Sequence, residues 1–322
     1  MITQVQARRL IAVALAAGFM AAACSSTATK TPTGSGSSGH ASASRSFPVS
    51  VTAANGTVHV ASRPTAIVSL SPSATEMLYA IGAGAQVKAV DSNSNYPAQA
   101  PRTKLSYFSP NVEAIAAERP DLVVVSNDSS NGATLTKRLA TFGIPVLELP
   151  APANLAGVYA EFSQLGQATG HQHQASAEVS TLRGQIRKII AAVPHRSKPL
   201  TYYYELDQTY YSVTSDTFIG RLLGMLGMKS IADSAKGASA AGGYPQLSAE
   251  FIVKANPSYI ILADTICCHQ SGSTVAGRPG WNRMAAVKSK HIIMLNDDIA
   301  SRWGPRVVDL LRAVLAAIRG GR

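Results

Sequence analysis

Two stretches of the sequence carry one pattern: "EAIAAERPDLVVV" over Glu113–Val125 and "EFIVKANPSYIIL" over Glu250–Leu262. Few letters coincide, yet both run Glu, one residue, Ile, four residues, Pro, one residue, a large apolar residue and a β-branched pair. Each reads as a short helix stopped at its proline and followed by a strand buried on both faces. The echo extends upstream, where "LYAIG" (Leu78–Gly82) is answered by "LGMLG" (Leu223–Gly227). A unit written twice predicts two similar lobes.

Working outward, short apolar runs alternate with helical stretches through both halves. "VTAANGTVHVA" predicts a hairpin around Asn55-Gly56. Ile67–Leu70 reads as a strand, Ser71–Ala74 as a turn, and Ser73 or Thr75 as the cap of a helix carrying Met77, Leu78 and Ile81. "DLVVVS", "IPVLEL", "LTYYYEL", "SYIILAD" and "HIIML" read as further strands, and in "LTYYYEL" Tyr202–Tyr204 are expected to alternate between core and cleft. Between the halves, Leu155–Gly170 predicts one helix. A second, over Gln174–Val193, places Val179, Leu182, Ile186 and Val193 on one face. The fold class is α/β: two Rossmann-like lobes with mostly parallel sheets, joined by a single long helix, with a ligand cleft between the lobes. The boundaries are 47–170 and 195–322 for the lobes and 171–194 for the linking helix.

The front of the chain is read apart from the fold. Arg8 and Arg9 precede "LIAVALAAGFMAAAC", too short and Ala-rich for a span and suited to a signal peptide over 1–23. Residues 24–46 are rich in Ser, Thr, Gly and Ala and read as a flexible tether. The formal charge is +11 over 322 residues. No run of Lys and Arg concentrates it, so the excess is diffuse; for an exported protein no nucleic-acid partner is expected, and a monomer is expected.

Several segments then resemble one family: the paired Glu-to-Pro stretches, "IVSLSPSATEMLYAIGAGAQVKAVDSNSNYP" (Ile67–Pro97), "GYPQLSAEFI" (Gly243–Ile252) and "DDIASRWGPRVVDLL" (Asp297–Leu311). They are similar to the substrate-binding proteins of ABC importers for ferric siderophores, haem and cobalamin, which have two α/β lobes bridged by one rigid helix. The front end likewise resembles a lipobox, which implies a lipidated Cys24 and an extracytoplasmic protein anchored to the outer face of the cytoplasmic membrane. The resemblance implies that Glu113 and Glu250 dock on a membrane permease. It puts Tyr96, Tyr107 and Tyr244 at the cleft as faces for a flat ligand, with Asp298 and Arg302 as polar cleft positions. Cobalamin-binding members carry Trp where Tyr107 and Tyr244 stand here, which ranks a ferric siderophore first and haem or cobalamin next. No intrinsic cofactor is implied, and closure on binding is expected to be small.

Arg302, Trp303 and Arg306 stand at the start of the last helix and have two readings, contacts to a ligand anion or a cap and a stacked arginine. Cys267 and Cys268 follow a buried strand, where α/β folds place ligand loops. We read a vicinal disulfide first, free thiols next and a metal site last. A free metal ion held by His171, His173 or His269 is the alternative ligand reading. A hydrolase or redox protein of the envelope using Cys267 and Cys268 is the rival from another class. No G-x-S-x-G, H-E-x-x-H or Walker pattern occurs, so the chain is not read as an enzyme.

Overall fold

The computed structural model describes residues 47–127 and 132–320. The signal peptide, Cys24 and the tether lie outside the described residues. A hairpin of β1 (Val49–Ala53) and β2 (Gly56–Val60) opens the fold. Its register pairs Ala53 with Gly56, so Ala54 and Asn55 form the loop and Gly56 adopts φ +102°. The first half continues with β3 (Ile67–Ser69), α1 (Pro72–Ala80), β4 (Val87–Val90), α2 (Val112–Ala117), β5 (Leu122–Ser126), α3 (Gly132–Ala140) and β6 (Val146–Leu149). Helices α4 (Leu155–Thr169) and α5 (Gln172–Ala191) follow. The second half comprises β7 (Leu200–Glu205), α6 (Phe218–Gly224), β8 (Met228–Ser230), α7 (Ala249–Ala255), β9 (Tyr259–Leu262), α8 (Gly272–Ala276), α9 (Ala285–Lys288), β10 (Ile292–Met294), α10 (Asp297–Ser301) and α11 (Val307–Gly320).

The two sheets are parallel and share one topology. In order across the sheet they run β4-β3-β5-β6 and β8-β7-β9-β10. In each, the strand that leads its half is flanked by the second and third, with the fourth at the edge. The duplicated sequence pattern therefore fills the same place twice: α2 feeds β5, and α7 feeds β9. Both helices are capped by a side chain, Asn111 accepting from Ala114 N and Ser248 from Phe251 N. After each helix one residue turns left-handed, Arg119 at φ 51° and Asn256 at φ 45°, and a buried proline follows. That turn sends the chain back into a strand whose residues are all buried.

Two local expectations are corrected. Helix α1 starts earlier than predicted, with Ser71 as its cap (Oγ accepts from Ala74 N at 3.3 Å) and Pro72 in its first turn. Ser73 and Thr75 are instead buried and bond inward, for reasons that emerge at the site. Tyr202, Tyr203 and Tyr204 do not alternate between core and cleft, since all three are fully buried. Strand β7 is an interior strand of a sheet packed on both faces. Tyr202 and Tyr204 enter one core and Tyr203 another.

Among the described residues three apolar cores result. One lies on the outer face of the first sheet, around Val68, Val123 and Leu135. Another lies on the outer face of the second, around Tyr203, Ile260 and Trp281. The third is continuous through both halves: Met77, Leu78 and Phe162 belong to the same cluster as Leu182, Tyr204, Leu222 and Leu311. Burying that cluster ties the halves together along α1, α4, α5, α6 and α11.

A polar clasp adds to this. The Glu76 carboxylate on α1 is fully buried in the first half, and two arginines of the second half hold it. Arg302 Nη1 donates to Oε1 at 2.9 Å, while Arg306 donates from Nη2 to Oε1 at 2.5 Å and from Nε to Oε2 at 2.9 Å. Arg302 also donates to the Asn93 carbonyl at 2.8 Å. Trp303 donates its indole N–H to Glu161 at 3.0 Å and its backbone N–H to Ser73 Oγ at 3.2 Å. Gly304 completes the approach, since a Cβ there would stand 3.2 Å from Glu76 Oε2. Breaking one side of a buried ion pair costs about 3–5 kcal/mol, because the remaining charges are left without compensation. Glu76→Gln is expected to lower the unfolding free energy by about 3 kcal/mol in urea titrations, and an unchanged midpoint contradicts this account of the clasp.

Candidate functional site

The C-terminal ends of β3, β4 and β5 open on a cavity of about 330 Å³, closed on its other side by Asp298, Ser301, Arg302 and Trp303. Ligand sites of open α/β sheets lie at strand ends of this kind. A buried hydroxyl network lies behind Asp91, which lines the cavity. Thr75 Oγ1 lies 2.9 Å from Ser69 Oγ and 3.0 Å from Ser94 Oγ, and Ser94 donates to Asp91 Oδ1 at 2.5 Å. This is why Thr75 does not cap its helix. Burial raises the Asp91 carboxyl above the usual carboxylate range, against the opposing pull of Ser94 and the Arg302 charge.

The aromatic residues divide. Tyr107 lines the cavity but is only 3% exposed, and its hydroxyl donates to the Ser126 carbonyl. Its neighbour Phe108 also lines the cavity and is 65% exposed. Phe108 was not read from the sequence, since no motif marks it and the chain bends at 107–109 beside buried Tyr107. Tyr96 is exposed beyond the cavity lining, with the Arg306 guanidinium 4.2 Å from its ring centre. Tyr244 is also exposed and outside that lining. It stands six residues before Glu250, as Tyr107 stands six before Glu113.

Of the charged residues, Asp298 accepts from Asn95 Nδ2 at 2.9 Å and from Arg302 Nη2 at 2.6 Å. Arg302 is thus shared among Glu76, Asp298 and Asn93, and Arg306 is held by Glu76. Each repeat glutamate is the second residue of its helix. Glu113 is exposed and meets Arg138 at 3.1 Å. Glu250 is fully exposed, and its own backbone N–H and the Ser248 hydroxyl hold its carboxyl below the usual range.

Beyond β9, Cys267 and Cys268 are bonded to each other. His171 is buried between Arg63 Nη2 (3.0 Å) and Thr169 Oγ1 (3.1 Å), and burial, then the Arg63 charge, lowers its pKa. His173 and His269 are exposed. Among the described residues no group of three His, Cys, Asp or Glu side chains could hold a metal ion, so the three histidines named for a free ion do not converge. Nor is any described helix long and apolar enough to cross a membrane.

A second acidic cluster was missed altogether. Glu205, at the end of β7, is fully buried and gripped by Arg278 at 2.5 and 2.6 Å. Asp264 is equally buried, and among the described residues neither of its carboxylate oxygens meets a donor in good hydrogen-bonding geometry. Burial, then the Glu205 charge, pushes the Asp264 carboxyl up to about 7. The folded state therefore holds a proton that the unfolded chain, with an ordinary carboxyl at 3.8, releases. The stability linked to that proton is whole below pH about 4 and is lost as pH rises through about 7. Asp264→Asn removes this dependence, so the variant should gain about 2 kcal/mol on the parent between pH 5 and pH 8. Parallel urea curves at the two pH values test this; an equal difference at both contradicts the assignment.

Comparison with known proteins bears on this geometry. The family of periplasmic binding proteins matches residues 67–299. The ABC transporter substrate-binding lipoprotein YvrC of Bacillus subtilis is 30% identical over 270 residues, covering 82% of this chain and 83% of its own. A cobalamin-binding protein of Halobacterium salinarum is 31% identical over 274 residues, 82% of this chain and 72% of that one. Among solved structures, one described as a possible iron-binding (periplasmic solute-binding) protein from Staphylococcus epidermidis superposes with a TM-score of 0.69 at 26% identity, over 80% of this chain and 99% of its own. The matched span takes in both parallel sheets, the helices between them and the cavity lining up to Asp298, and the chain belongs to the periplasmic binding protein family.

Proposed function

We propose that this protein is the extracytoplasmic substrate-binding component of an ABC importer and that it captures a cobalamin-type metal chelate, one with a saturated metal and an uncharged, amide-bearing rim. The observation that carries this reading is the donor set of the cavity. Beside the apolar Leu70, Pro72, Phe108 and Trp303, its described polar lining is hydroxyls, Asn93 and Asn95, and two carboxylates, Asp91 and Asp298; its one guanidinium, Arg302, already serves Glu76 and Asp298. Carboxylates and carbonyls welcome amide N–H donors and repel the acids of a haem or a carboxylate siderophore. No His, Met or free thiol stands in that lining to complete a metal's coordination. The name of the Halobacterium relative supports the same ligand. A siderophore, placed first from the sequence, becomes the second reading, and haem the third.

At about 330 Å³ the cavity is at the low end for ligand sites. A macrocycle would seat one edge in it and lay its faces along Phe108 on one half and Tyr244 on the other. The lobes, 47–170 and 195–322, would act as two jaws around the linking helix 171–194. Cys24 would carry the lipid anchor, with 24–46 as a tether that lets the body reach its permease. Glu113 and Glu250, at matching places on the two halves, would each meet a permease cation. The protein has no catalytic step in this reading.

Titration with cyanocobalamin, haemin, a ferric hydroxamate siderophore and simple metal salts, followed by quenching of Tyr and Trp fluorescence, tests the ligand. Cyanocobalamin is expected to bind with a Kd of about 1 μM or tighter; binding of metal salts alone would falsify the chelate reading. Glu113→Lys with Glu250→Lys is expected to cut cellular uptake about tenfold or more while the Kd of the purified protein stays unchanged. Undiminished uptake removes the docking role.

A further inference from the structure

The loop after β9 is built more firmly than a connection requires. Thr265 Oγ1 donates to the Leu295 carbonyl at 2.6 Å, and the backbone N–H groups of Ile266 and Cys267 both donate to the Asp297 carboxylate, at 3.0 and 2.7 Å. From the other side, Gln270 Nε2 donates to the Cys268 carbonyl at 3.1 Å, and Gln270 Oε1 accepts from Arg278 at 2.7 Å, the same arginine that grips buried Glu205. The loop is thus staked to α10 at one end and to the Glu205–Arg278 pair at the other. Between these stakes stand Ile266, 56% exposed, exposed Cys267 and half-buried Cys268, the two sulfurs bonded.

A polar scaffold that holds an apolar tip outward implies that the tip has a contact to make. Its position supplies the contact. The loop lies at the C-terminal end of the central strands of the second sheet, where this fold class places ligands. Asp297, which holds it, is followed by Asp298, which lines the cavity and bonds Asn95 of the other half. We propose that Ile266 and the Cys267–Cys268 disulfide form the second-half apolar wall against which the captured chelate packs, so that reduction of the disulfide weakens capture. The inference rests on the chelate-binding reading. A vicinal disulfide closes a small ring that takes rotational freedom from two residues and leaves two polarizable sulfurs at the tip. A dithiol reductant breaks the S–S bond by passing two electrons and two protons to it, giving two thiols and its own disulfide. The knuckle then gains freedom that binding has to remove again.

Three forms of the protein are compared by fluorescence titration against cyanocobalamin, haemin and a ferric hydroxamate siderophore. They are the oxidised parent, the parent reduced with dithiothreitol, alkylated and freed of reagent, and the double variant Cys267→Ala, Cys268→Ala. The last two should bind the probe that the parent binds about tenfold more weakly, with far-UV circular dichroism matching the parent. Affinity of the double variant within about twofold of the parent overturns the proposal. Should the double variant fail to fold, Ile266→Ser keeps the disulfide and carries the test: binding weakened about threefold or more is expected, and unchanged binding overturns it. A parent that binds none of the probes overturns the chelate-binding reading itself, and this inference with it.

Discussion

The buried carboxylate of Glu76 sets the terms for much of this molecule. A charge removed from water needs opposite charge and hydrogen bonds together, and among the described residues Glu76 receives both from Arg302 and Arg306 of the other half. The requirement spreads. Arg302 needs acceptors for its remaining donors and finds the Asn93 carbonyl and Asp298. Close approach of the chain at Gly304 leaves no room for a side chain without a shift of Glu76. Trp303 is drawn between Ser73 and Glu161. The cavity therefore forms where the clasp brings one end of the first sheet against the 298–303 segment. Its charge is fixed by which cations the clasp has already engaged.

The same constraint bears on motion. The clasp lies across the two halves, and behind it the largest apolar core runs without a break through both. A wide rotation would separate the Glu76 ion pairs and expose that core, two costs that no hinge residue could offset. On the proposed reading, capture would then depend on small adjustments around Phe108, which lines the cavity, and at the exposed residues Tyr244 and Ile266. Rigid jaws also suit a partner that grips both halves at once, as the matched helix positions of Glu113 and Glu250 would allow.

The architecture was legible because it rests on periodicity. Buried runs such as Leu122–Ser126 and Tyr259–Leu262 are strands by composition, and the repeated Glu-to-Pro unit announces two sheets with one topology. What escaped was everything decided by which partner a polar group finds. Thr75 looked like a cap and bonds to Ser94 instead; for Arg302 the sequence left a ligand contact and a structural role open, and its bonds to Glu76 and Asp298 were not foreseen. Tyr202–Tyr204 carry the alternation of a half-exposed strand, but β7 has neighbours on both sides and cores on both faces. Phe108 and Asp264 left no mark in any motif. Their roles come from exposure and burial, which only the folded chain defines.

The central claim is that a chelate lies between the halves while the clasp stays shut, and crystal structures with and without cyanocobalamin test it most directly. The account predicts the corrin against Phe108 and Tyr244, with Glu76 still bonded to Arg302 and Arg306 and the halves nearly superposable between the two states. A chelate bound away from this cavity, or Glu76 parted from both arginines by a wide rotation of one half, would contradict it.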